Sequence, residues 1–204
     1  DFNLFILGLG YLGNFSFAIS GFITASKKKL DLFGAFVIAF VTGLGDDTKR
    51  FTPQYKDSWH SEPTNVYLVI GAVILAYFFK KQFVRLRKTL FLFDTIGIAV
   101  FTIGGLQVAQ QYNLNSLFLV LFGDITATFG SAIRDILCDE IPLIFRSEIY
   151  ATACIIGAIS YLGFELLDFS LVLKTILSCS IIIIIRTLAV INKWSIPVVV
   201  AETD

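Results

Sequence analysis

The stretch Phe122–Phe145, FGDITATFGSAIRDILCDEIPLIF, decides how this chain is read. It begins inside an apolar run suited to a membrane helix, yet it carries Asp124, Thr126, Thr128, Ser131, Arg134 and Asp135. Charge at bilayer depth is costly, so such side chains usually face a bundle interior or a water-filled path. Gly130-Ser131 is a small-residue pair at which a helix can kink, and Arg134 and Asp135 follow one turn later. A broken polar helix in a hydrophobic chain suggests a translocation path, because irregular backbone at membrane depth needs a cavity to line.

Upstream, Leu30–Phe51 repeats the pattern as LDLFGAFVIAFVTGLGDDTKRF. Thr42 corresponds to Thr126 and Arg50 to Arg134, each pair 84 residues apart. The same offset relates Gly13 to Gly97, Phe17 to Phe101, Ile19 to Ile103, Gly21 to Gly105 and Ala25 to Ala109. Apolar helices of low complexity match easily by chance. One ungapped register from Gly13 to Arg134 nevertheless argues for an internal duplication. The match fades after Arg50, where one copy has the longer loop.

Composition agrees with a membrane protein. The chain is 56% hydrophobic, and its mean hydropathy of +0.79 lies far above that of a soluble domain. Sixteen basic and sixteen acidic residues cancel, and the basic ones cluster in short loops, which excludes a nucleic-acid binder on electrostatic grounds. Cys138, Cys154 and Cys179 lack metal-ligand spacing and read as small hydrophobes in helices. His60 is the sole histidine and sits in a loop, so neither a histidine triad nor a zinc site is available. The chain has no Met, even at position 1, which suggests a trimmed start, so no targeting signal is read from it.

Seven spans are predicted. Leu4–Thr24 has roughly the 20 residues needed to cross, and Gly8, Gly10, Gly13 and Gly21 allow a close helix neighbour. Lys27-Lys28-Lys29 ends it. Leu30–Leu44 follows, broken at Gly43–Asp47, then a polar loop, Thr52–Thr64, with Pro53, Trp59 and Pro63. Asn65–Phe79 is short, so Lys80 and Lys81 are expected to snorkel at its end, ahead of Arg85, Arg87 and Lys88. The second half supplies Phe91–Ala109, Leu114–Cys138 broken at Gly130-Ser131, and Ile149–Leu166. Leu171–Ile191 is an added span with Arg186 near its end and Trp194 as an interfacial anchor. The whole of 1–204 reads as one all-α membrane domain: repeat one over 4–82, repeat two over 91–166, extra helix 171–191.

The basic loops follow the first and third spans. By the positive-inside rule the N-terminus is outside and the C-terminus, with Lys193, is cytoplasmic, as expected for a multi-pass plasma-membrane protein. Each repeat has an odd number of spans, so the second copy enters the membrane upside down relative to the first. That is the inverted-repeat architecture of many transporters.

Three stretches carry a family resemblance: Leu30–Arg50; FDTIGIAVFTIGG at Phe93–Gly105; and, most specifically, ITATFGSAIRDILCDEIPLIFRSEIYATA at Ile125–Ala153. They resemble the prokaryotic branch of the trimeric intracellular cation channel family over nearly the whole chain. The resemblance implies a homotrimer, a pore in each protomer between two kinked helices, and potassium as the main permeant ion. The chain also departs from the family. Asp46 and Asp47 stand where glycines are usual, and Phe51 where an aspartate follows the Arg. Ser131 replaces the second glycine of the second repeat, and Asp124 is an unusual carboxylate.

The candidate pore and gating residues are Thr42, Asp46, Asp47, Thr48, Arg50, Thr126, Thr128, Gly130, Ser131, Arg134 and Asp135, with permeant potassium near Thr42, Asp46, Thr126 and Ser131. No tightly bound metal and no cofactor is expected, bound lipid apart. Each residue has a plainer reading. Arg134 and Asp135 can cap a broken helix end or pair with a neighbouring span. Being adjacent, they point about 100° apart and are not expected to pair with each other. Asp46 and Asp47 can be solvated loop residues. The threonines can bond back to the i−4 carbonyl, which bends a helix, or offer oxygens to an ion. Asp94 can simply cap the fourth span. Gly43-Leu44-Gly45-Asp46 matches the GxGD motif of intramembrane aspartyl proteases, which need a second aspartate on the adjacent span. The third span has none, and Asp124 lies on an inverted helix. No serine-protease, zinc or nucleotide motif occurs. The chain is therefore read as a passive monovalent-cation channel and not an enzyme, the alternative being a secondary transporter for a small solute.

Overall fold

A computed structural model describes residues 2–45, 63–80, 82, 87–146 and 149–195. Seven α-helices lie among them: α1 (Phe2–Lys27), α2 (Leu32–Gly45), α3 (Pro63–Phe78), α4 (Arg87–Gln110), α5 (Ser116–Leu137), α6 (Ala151–Leu166) and α7 (Leu171–Ile191). A short 3₁₀ turn, Leu143–Phe145, joins α5 to α6. In lipid a helix satisfies its own backbone, which is why these apolar runs fold as helices. Parts of α1, α4, α5 and α7 are long and apolar enough to cross a membrane, whereas α2, α3 and α6 are shorter apolar helices.

The helix ends are set locally. Asn115 caps α5 by accepting the Phe118 N–H at 3.0 Å. Pro63 opens α3, where its missing N–H costs no hydrogen bond. Lys29, Asn113, Asp139, Asp168 and Lys193 take left-handed backbone just beyond α1, α4, α5, α6 and α7. After α1 the Leu30 N–H reaches back to the Ala25 carbonyl at 3.1 Å, and after α5 the Glu140 N–H reaches Asp135 at 2.9 Å. These are Schellman stops. Lys29 and Asn113 are themselves 84 residues apart, so the duplication extends to how its first helices end.

The two copies pack alike. α1 lies against α2 and α3, α4 against α5 and α6, and α1 meets α4 at the centre. At that crossing the Phe17 and Phe101 rings stack with centroids 5.3 Å apart. Gly97 leaves room for the Phe17 ring and Gly13 for the Phe101 ring. Gly21 and Gly105 play matching parts, giving space to Thr42 and Thr126. Four pairs from the 84-residue register thus meet as two-fold mates. The added helix α7 packs on α6 and α4, against the second copy.

Beside an apolar core, α5 and α7 bury polar side chains and turn apolar ones outward. On α5 the buried residues include Asp124, Thr128, Ser131, Arg134 and Asp135. Leu117, Phe118, Ile125 and Phe129 face outward. On α7, Lys174, Ser178, Ile182 and Arg186 recur every four residues on the buried side, while Leu173, Ile176 and Ile184 are exposed. A soluble helix buries its apolar stripe; a helix solvated by lipid can reverse the pattern.

Two expectations are corrected. The helix is not broken at Gly130-Ser131, because α5 runs without interruption to Leu137. The Ser131 hydroxyl donates to the Thr128 carbonyl within the helix at 2.9 Å, so the pair is absorbed rather than opened. Asp94 does not cap the fourth span, since that helix starts at Arg87 and Asp94 lies inside it, 1% exposed.

Candidate functional site

Arg134 is the centre of the site. It is 1% exposed, and its guanidinium donates to Asp94 Oδ1 at 2.7 Å, to the Ser20 hydroxyl, and through Nε to Asp135 Oδ1 at 2.8 Å. Helices α1, α4 and α5 are joined through this one side chain. The bond to Asp135 overturns the expectation that adjacent residues on a helix do not pair. The Cβ atoms do diverge, but the guanidinium turns back and presents Nε and NH2 to the same carboxylate.

The other carboxylate oxygens extend the network. Asp135 Oδ2 accepts the Leu143 N–H at 3.1 Å, tying the 3₁₀ turn to α5. Asp94 Oδ2 lies 3.5 Å from the Arg186 guanidinium. Arg186 also bonds the Ile149 carbonyl at 3.3 Å and sits over the Tyr150 and Phe91 rings at 4.4 and 5.1 Å. Tyr150 donates to Ser131 at 2.8 Å. Two arginines and two aspartates therefore make a neutral buried cluster. Such a cluster survives in low dielectric only while every member keeps its partners.

The threonines follow the i−4 pattern. Thr42 donates to Ile38 O at 2.6 Å, Thr126 to Phe122 O at 2.7 Å and Thr128 to Asp124 O at 2.9 Å. Asp124 is 9% exposed, and its Oδ1 has no hydrogen-bond partner among the described residues. Gly130 is buried on the same helix. Asp46, Asp47, Thr48 and Arg50 lie outside the described residues, as do Pro53, Trp59, His60, Lys81 and Arg85. Cys138, Cys154 and Cys179 are free thiols. No cluster of metal-ligating side chains occurs among the described residues.

Sequence reasoning missed two members of this cluster. Asp94 was read as a cap and Arg186 only as a helix-end residue; in the fold both are partners of the central network. A charge seven residues into a span is itself a signal, because it must find a counter-ion inside the bundle. A second polar group sits where α4, α6 and α7 meet. Gln107 donates to Tyr161 at 3.2 Å and to Thr175 at 2.8 Å, and Glu165 binds Gln110 at 2.6 Å and Lys174 at 2.8 Å.

Outside these loops, Lys28 pairs with Glu140 at 2.7 Å, which places the loop after α1 and the loop after α5 on one face. The bond to Glu140 holds the Lys28 ammonium above its ordinary range. The same bond holds the Glu140 carboxyl below its ordinary range.

Inverted three-helix units with buried charges at membrane depth define a polytopic channel or carrier. A family profile described as Glycine transporter matches residues 7–81 and again residues 91–165. The two matches carry the same 84-residue displacement as the register read from the sequence. The UPF0126 inner membrane protein YadS of Escherichia coli K12 is 37% identical over 162 residues, covering 76% of this chain and 77% of that one. A structure described as the basis for conductance through TRIC cation channels is 33% identical, with TM-score 0.81 over 96% of this chain and 98% of that one. A TRIC trimeric intracellular cation channel orthologue from Rhodobacter sphaeroides is 25% identical, with TM-score 0.83 over 92% and 98%. The chain belongs to the UPF0126 family, the prokaryotic branch of the trimeric intracellular cation channels. It is a multi-pass membrane protein, and the seven helices among its described residues form two inverted repeats of three and an added C-terminal helix.

Proposed function

We propose that the protein is a monovalent-cation channel, potassium its main ion, working as a homotrimer with a pore in each protomer between α2 and α5. The observation that carries this reading is the buried polar face of α5, closed at one end by the Arg134 network. A desolvating cation needs oxygen ligands and negative potential. Asp124, Thr128, Ser131 and Asp135 offer oxygens along one face of α5, at spacings of three or four residues. Thr42 and Thr126 contribute hydroxyl oxygens whose protons already go to backbone carbonyls. Gly130 keeps the helix surface low beside Ser131. Asp46, Asp47, Thr48 and Arg50, which follow α2 in the sequence, would serve the first copy.

Arg134 is the gate in this reading. Its charge opposes a cation, and the guanidinium must leave the path or stay neutralised for conduction. The basic loop after α1 faces the cytoplasm, with the N-terminus outside and the C-terminus inside.

The test is single-channel recording of the purified protein in planar bilayers bathed in potassium chloride. Unitary currents support a channel. Saturable glycine uptake without unitary currents would instead support a secondary transporter, the reading favoured by the description of the matching family profile. Among variants that purify as the parent oligomer, Arg134→Ala should raise leak and Asp135→Asn should lower conductance. Parent-like currents in both would make the two residues structural partners only.

A further inference from the structure

Between α2 and α3 the surface holds a groove of about 530 Å³, within the roughly 300–1,000 Å³ of small-ligand sites. Leu32, Phe33 and Phe36 form one wall and Val73, Ile74 and Tyr77 the other. Apart from the Tyr77 hydroxyl, no side chain in the walls carries a polar group that could orient a soluble ligand. Polarity appears at the end where α2 begins and α3 finishes. There the Lys80 ammonium lies 4.5 Å from the centre of the Tyr77 ring. Lys29, exposed and in left-handed backbone, stands three residues ahead of Leu32. Of the neighbouring charges, Lys28 is held by Glu140, and Asp31 is turned onto the Gly34 N–H at 2.7 Å.

An apolar trough with cations at one mouth fits one kind of molecule, with a long hydrocarbon chain and an anionic head. We propose that the α2–α3 groove seats an acyl chain of an anionic phospholipid, its phosphate held by Lys80 and Lys29. The bilayer already solvates apolar surface, so the tail by itself brings little preference for the groove over bulk lipid. Selectivity for the anionic lipid therefore comes from the two lysines. The site is separate from the Arg134 network, and its occupancy is read without any current.

The full chain is reconstituted in nanodiscs of mixed phosphatidylglycerol and phosphatidylcholine, and co-purifying lipid is counted by native mass spectrometry. The parent should retain phosphatidylglycerol preferentially. Lys80→Gln and Lys29→Gln should each weaken retention about fivefold. Ile74→Trp, which fills the trough, should abolish retention while leaving the oligomer mass unchanged. Equal retention of the two lipids, or phosphatidylglycerol kept by Ile74→Trp, overturns the proposal. A lower oligomer mass in Ile74→Trp overturns it too, by assigning the groove to a second copy of the chain. Lys80→Gln changes an exposed side chain, so it decides the matter even where Ile74→Trp does not purify.

Discussion

Replacing Asp94 by Ala should damage the protein more than any loss of packing volume explains. Asp94 is 1% exposed and is the carboxylate that serves both Arg134 and Arg186, at 2.7 and 3.5 Å. Its removal turns a neutral set of two arginines and two aspartates into one with net charge +1. Asp135 still holds Arg134, and Arg186 keeps the Ile149 carbonyl and two aromatic rings, but each cation has lost its Asp94 carboxylate. Removing one partner of a buried pair costs about 3–5 kcal/mol, mostly from the charge left behind. For a chain of this size that corresponds to a fall in apparent Tm of roughly 6–20 °C. Thermal unfolding of the detergent-purified protein, followed by loss of the monodisperse peak, measures it. Asp94→Ala combined with Arg186→Leu restores neutrality and should recover a good part of the loss. If the single variant melts with the parent, or the double variant melts lower still, the buried ion pairs are not what holds α4, α5 and α7 together.

Gly97→Ala and Gly13→Ala should each cost about 1–3 kcal/mol, because the new methyl meets the Phe17 or Phe101 ring; Phe17→Leu should relieve the first and not the second. Gly157→Ala runs into the Ile182 side chain and should loosen α7 from α6, with Ile182→Ala as the compensating change. The Lys28–Glu140 contact has two pH limits. Lowered Glu140 keeps the contact above its ordinary range and loses it as pH falls through its depressed value. Raised Lys28 keeps it below its ordinary range and loses it as pH rises through its elevated value. Carboxyl NMR of Glu140 should show a midpoint below that of a free glutamate, returning towards it in Lys28→Gln; no movement on that substitution would remove the assignment.

The fold was legible because lipid imposes few solutions. Apolar runs of spanning length must be helices, and an odd number of them per repeat must invert the copy. The glycines of the 84-residue register pointed to close approach, and the structure puts Phe101 and Phe17 against Gly13 and Gly97. The ion network was less legible. Counter-ions on different helices leave no spacing to read, so Asp94 and Arg186 are 92 residues apart in the chain and 3.5 Å apart in space. The Arg134–Asp135 bond was misjudged because Cβ directions were taken as side-chain directions, and a guanidinium is long enough to turn back. The Gly130-Ser131 break was over-read, since a serine hydroxyl can bond within the helix it was expected to open.

The network also shows how the two copies have come to differ. In the 84-residue register, Arg134 has its mate in Arg50, but Asp94 corresponds to Gly10 and Asp135 to Phe51. The first copy keeps the arginine and lacks both carboxylates. The second copy carries Asp94 and Asp135, and the added helix α7, which packs on α4 and α6 of that copy, brings Arg186. The packing frame is therefore two-fold, with glycines facing mate phenylalanines, whereas the charge buried among the described residues is one-sided. A strictly symmetric pore would present the same barrier from both membrane faces. One whose buried charges, among the described residues, all lie on the second repeat and α7 meets an ion arriving from opposite sides with different fields. If the proposed channel runs between α2 and α5, its current–voltage relation in symmetric potassium should be asymmetric. Neutralising Asp94 and Arg186 together should make it more nearly symmetric without closing the path.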